Sequence, residues 1–135
     1  MDVLELVGRL VFATLFLFYG VIHFTRFGFM AGYARAKGTP FPRVAVAGTG
    51  LMLIAGGALV ALGVWPDLGA LVLVAFLVPV AFVIHPFWRE TDPVARAGEE
   101  SVFLKDLALA GASLTLFALF SQAGEPAYAL THTLF

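Results

Sequence analysis

Four stretches of nearly continuous apolar character, residues 4–24, 44–64, 68–85 and 103–120, alternate with segments that hold most of the charge. An α-helix rises 1.5 Å per residue, so about 20 residues cross a hydrocarbon core about 30 Å thick. The pattern predicts an all-α fold, a transmembrane four-helix bundle within residues 1–121. Residues 122–135 form a tail too short to span, expected as a brief interfacial helix or a frayed end.

Finer features sit on this frame. In the first span Glu5 and Arg9 lie one helical turn apart and can pair, and Arg9 is close enough to the end to snorkel to the interface. The connection 25–43 alternates Phe27, Phe29, Met30 and Tyr33 with Arg35 and Lys37, as in a short amphipathic turn lying in the interface, before the Gly38–Pro42 cluster breaks it. Gly50, Gly57 and Ala61 share one face of the second span, where a neighbouring helix can approach closely. Pro79 in the third span has no N–H to give Ala75 and is expected to kink the helix. The connection 86–102 reads as polar loop, with Glu90, Asp92, Glu99 and Glu100 as its solvated face.

Composition agrees with membrane insertion. The chain of 135 residues is 61% hydrophobic and 13% charged, against about a quarter charged in a soluble domain, and its mean hydropathy is +0.96. The opening MDVLEL is acidic where a signal peptide is basic, so it reads as a retained first helix. Basic residues are few and flank apolar spans, which argues against nucleic-acid binding. Arg26, Arg35, Lys37 and Arg43 lie in the first connection and Arg89, Arg96 and Lys105 in or beside the third; the second connection and the tail hold none. The positive-inside rule therefore puts connections 25–43 and 86–102 in the cytoplasm and both termini outside. With no cysteine, disulfides, thiolate nucleophiles, iron–sulfur ligation and cysteine-based zinc sites are excluded.

Antiparallel spans bring the ends of the first and third to the starts of the second and fourth, on one membrane face. His23, Arg26, Arg43, His85, Trp88, Arg89, Lys105 and Asp106 collect there, and polar groups at membrane depth default to functional candidates. His85 has the chemistry to transfer a proton or donate to a quinone carbonyl; the plainer reading is a helix-end histidine offsetting the dipole. Asp106 has the same double reading, as a proton-handling acid or as a favourable charge in a first helical turn. His23, Trp88, Arg89 and Lys105 are candidate ligand contacts, with Trp88 equally an interfacial anchor and Lys105 equally a headgroup contact. Two histidines on facing helices suggest haem, but no attachment motif accompanies them and no metal site is assigned. No Gly-rich phosphate loop, Ser-His-Asp arrangement or HExxH occurs.

The runs GRLVFATLFLFYGVIHF at 8–24, GLMLIAGGALVALG at 50–63, GALVLVAFLVPVAFVIHPFW at 69–88 and FLKDLALAGASL at 103–114 together resemble the DoxX family of small bacterial membrane proteins. The family usually carries asparagine after the lysine of the last run; this chain has Asp106, an acid in place of a neutral amide. The resemblance implies a four-helix protein of the bacterial inner membrane. It links some relatives to quinone-dependent oxidation of sulfur compounds and others to redox-stress assemblies or cargo-receptor-like roles.

Two readings follow. One is a membrane redox subunit, possible as a quinone-linked oxidoreductase component, with His85 and Asp106 handling protons and Arg89 or Lys105 stabilising a developing anion. The other is a non-enzymatic scaffold that binds lipid or a partner. A small four-span chain also suits association with itself or within a larger membrane complex. Because no thiol is present, maleimide reagents are expected to leave any intrinsic activity intact; inhibition would place that activity on a partner protein.

Overall fold

The computed structural model describes residues 1–124 and 126–135, and the elements run α1 (Asp2–Thr25), α2 (Phe27–Ala36), α3 (Pro42–Leu62), α4 (Pro66–Ile84), a 3₁₀ turn (Phe87–Arg89) and α5 (Pro93–Ala123). All four long helices are long and apolar enough to cross a membrane. Many of their outward side chains are apolar too, among them Val11, Phe18, Val44, Leu51 and Leu119, which suits a surface solvated by lipid.

The inward stripes have heptad-like spacing. On α1 the buried residues are Arg9, Ala13, Phe16, Gly20 and His23, and on α5 they are Phe103, Asp106, Ala110, Ser113 and Phe120. Steps of three and four keep one face of a helix against its neighbours. Phe16, Leu53, Val60, Leu73, Leu77, Ala110 and Phe120 form the central cluster. The closest packing joins α1 to α3, α3 to α4 and α4 to α5. The seam between α1 and α5 is looser.

Gly50 is required where α3 meets α1, because a Cβ there would lie 2.7 Å from His23 Cβ. The shared small-residue face expected on α3 is therefore used by α1. Pro79 leaves the helical assignment of α4 unbroken. The amphipathic stretch of the first connection is a full helix, α2, seated through Ala31 and Ala34 on Val46 of α3.

Two expectations are corrected. The polar connection is shorter than 86–102, because Asp92 caps α5 by accepting from Ala95 N at 2.8 Å and Pro93 occupies its first turn. Both residues are strong helix-start signals, and they give α5 a 31-residue length, about 46 Å at 1.5 Å per residue. Its first turns thus extend beyond a single membrane thickness. Beyond Ala123, where α5 ends, the tail is neither helical nor loose among its described residues. It folds back over the ends of α3 and α4, where Gly63 O accepts from Leu130 N and Thr131 N at 3.1 Å. Asp67, fully buried in the first turn of α4, accepts from Leu134 N and Phe135 N at 2.7 Å each. Gly63 ends α3 with φ +63, and a side chain there would meet Ala129.

Asp67→Ala removes the acceptor of two part-buried hydrogen bonds, a loss of about 0.5–1.5 kcal/mol for each. Hydrogen exchange over residues 126–135 should accelerate and the melting temperature should fall; unchanged exchange would show that the clamp does not hold the tail.

Candidate functional site

A cavity of about 610 Å³ opens among α1, α3, α4 and α5, with α2 beside its mouth. Its walls are almost wholly apolar, with Phe16, Leu53, Phe76, Leu77 and Val80 among them, and the polar side chains Tyr19, His23, Tyr33, His85, Lys105 and Asp106 reach it where the helix ends converge.

His85 follows the last residue of α4, where Pro86 prevents the helix from continuing. Its Nδ1 lies 2.7 Å from Glu99 Oε2. A carboxylate only accepts, so Nδ1 carries the proton and Nε2 is the nitrogen left for chemistry. Nε2 in turn is 4.0 Å from Asp106 Oδ2, close enough for charges to interact but too long for a hydrogen bond. Lys105 Nζ approaches the other Asp106 oxygen, also at 4.0 Å. The Asp106 side chain is 9% exposed and that of Lys105 49%. His23 is buried under Gly50, and its Nδ1 donates to Tyr19 O at 2.7 Å. A backbone carbonyl accepts only, so Nδ1 of His23 carries a proton.

Glu99 organises this end of the bundle. While Oε2 holds His85, Oε1 accepts from Lys37 Nζ at 2.6 Å, and Glu90 approaches the same ammonium at 3.6 Å. Lys37 stands just past α2, so this network ties α2 to α5 and to the end of α4. Burial works against the Lys37 charge; its hydrogen bond to Glu99 and the nearby negative charges outweigh that and raise its pKa above the ordinary 10.5. Burial, followed by the charge of Glu99, raises the Tyr33 phenol above 10.0, so Tyr33 meets the cavity as an O–H donor.

Of the residues expected at the site, His23, His85, Lys105 and Asp106 line the cavity. Trp88 and Arg89 do not. Trp88 packs against Phe82, Phe87 and Phe103 at centroid distances of 6.2, 5.3 and 5.6 Å and is half-exposed, as an interfacial anchor would be. The 3₁₀ turn after Pro86 carries both residues away from the cavity wall. Glu99 is the residue missed: it is not part of a solvated loop face but four positions before Phe103 on the inward stripe of α5. Continuing that stripe through the Asp92-Pro93 start would have found it. No cluster of three or more metal-binding side chains is present among the described residues.

The family model for DoxX matches residues 4–86, more than half of the chain. The chain belongs to the DoxX family. With four apolar spanning helices it is an integral membrane protein. The DoxX match runs from α1 through the end of α4 and includes His23, Lys37 and His85, while Glu99, Lys105 and Asp106 lie beyond it. Comparison with curated proteins and with solved structures gives no match.

Because the folded pKa of Lys37 is raised, the stability it lends is fully present below pH 10.5 and is lost as pH rises through the folded value. Thermal melts across that alkaline range should show a Lys37-dependent fall, and Lys37→Met should abolish that component. A fall identical in the variant would remove Lys37 as its source.

Proposed function

We propose that this DoxX protein is a membrane subunit that binds a quinone or a similar lipid-soluble ring and exchanges protons with it. The observation carrying this reading is the pairing of an apolar cavity with His85 and Asp106 at its polar end. Apolar walls with a few convergent polar groups suit a ring-shaped ligand. Converting a quinone to a quinol takes two electrons and two protons, one proton for each carbonyl oxygen. In this assignment His85, held by Glu99 at Nδ1, delivers a proton from Nε2 of its imidazolium form to a carbonyl oxygen, and Asp106 serves as the second proton carrier. Lys105 stabilises the developing oxyanion. A reductant bound to a partner subunit supplies the electrons. The charge bias supports placing this site at the cytoplasmic face of a bacterial inner membrane, with the termini outside.

The second reading, a scaffold holding a lipid chain, draws on the self-contained polar network. Glu99 satisfies His85 and Lys37 within the protein, so these side chains also serve as a brace between helices, and the apolar wall alone suits an acyl chain.

Mass spectrometry of small molecules retained in native-like nanodiscs separates the readings. About one quinone per wild-type chain, with affinity reduced about tenfold or more in His85→Ala or Asp106→Ala, is the expected result. Bulk lipid alone, unchanged by both substitutions, would leave the scaffold reading in its place.

A further inference from the structure

At the other end of the bundle α1 carries a buried charge that the cavity chemistry does not use. Arg9 is 2% exposed, contrary to the snorkelling expected from its position near a helix end. Among the described residues, Nε, Nη1 and Nη2 of Arg9 are buried without a hydrogen-bond partner. Glu5 Oε1 lies 3.9 Å from Nη1, beyond hydrogen-bond reach, and accepts instead from Ala127 N at 3.1 Å. Glu5 thus offsets part of the charge and leaves the guanidinium donors unused.

Arg9 also lines a second cavity, of about 400 Å³, in the seam between α1 and α5. Its wall combines Arg9 and Glu5 with Gly8, Leu116, Leu119 and Phe120. A Cβ placed on Gly8 would meet nothing within 4 Å, and Leu119 is 54% exposed, so the space continues onto the lipid-facing surface. Burying a guanidinium without acceptors is costly, and a phosphate offers paired oxygens that match its fork of N–H groups.

We propose that Arg9 binds the phosphate of a single phospholipid, whose acyl chain lies along Leu116 and Leu119. The ligand class follows from the pairing of unused cationic donors with an apolar groove open to lipid, at the end of the bundle opposite His85.

The test uses the full chain in nanodiscs of neutral glycolipid doped with phosphatidylglycerol, with retained lipid counted by native mass spectrometry. Wild type should retain one phosphatidylglycerol, and Arg9→Gln should weaken retention about tenfold. Gly8→Leu keeps the guanidinium but fills the space beside it, and should also lose the lipid while retaining its helical circular dichroism. Arg35→Gln, an exposed charge elsewhere, should retain the lipid as wild type does. Equal retention in wild type and Gly8→Leu overturns the proposal even if Arg9→Gln fails to fold. Loss in Arg35→Gln as large as in Arg9→Gln would reduce the effect to general surface charge. Wild type retaining no lipid would mean that the guanidinium is satisfied within the chain. Displacement of the lipid by inorganic phosphate alone would assign the site to the free ion and overturn the lipid assignment.

Discussion

An ionised side chain in hydrocarbon is stable only when another group or a polar cavity compensates it, and the arrangement of this bundle follows from that constraint. Glu99 is its clearest expression. One carboxylate holds His85 on one oxygen and Lys37 on the other, which draws three segments distant in sequence to one membrane face. Without this junction α2 would rest on α3 through apolar contacts, and the His85 ring would lack the bond that fixes its Nδ1 proton.

The same constraint separates two kinds of space along the bundle. Close packing runs in series from α1 through α3 and α4 to α5, and helices in lipid gain little from hydrophobic attraction to one another. Small residues such as Gly50 set the close approaches, while the seam between α1 and α5 stays open. At one end, space is lined by histidines, a carboxylate and a phenol; at the other it is lined by a single guanidinium and a carboxylate. Groups able to exchange protons gather at the first. The second has a permanent cation and the character of an anion site.

Much of this order is visible in the chain alone. Hydropathy locates all four spans, and three-and-four spacing puts His23 with Phe16 and Ala13, and Asp106 with Ala110, on shared helix faces. His85 is marked by the proline after it, and the glycines of α3 announce a close neighbour. These features are local: each depends on helical periodicity or on the backbone chemistry of a few adjacent residues.

Other features depend on which helices meet. Glu99 looks like one acid among several in a charged stretch until α5 is extended to Asp92 and set beside the ends of α2 and α4. Trp88 and Arg89 adjoin the site in sequence, yet the turn after Pro86 carries them off it. Arg9 resembles an interfacial arginine until α5 and the end of α3 are placed against it, and the tail becomes ordered only because Gly63 and Asp67 supply acceptors for its amides. The sequence by itself determined the spans and their inward faces, because helix periodicity is a local property. The tertiary structure alone decided which buried polar groups found partners and which were left facing a cavity, because that depends on distances between residues far apart in the chain.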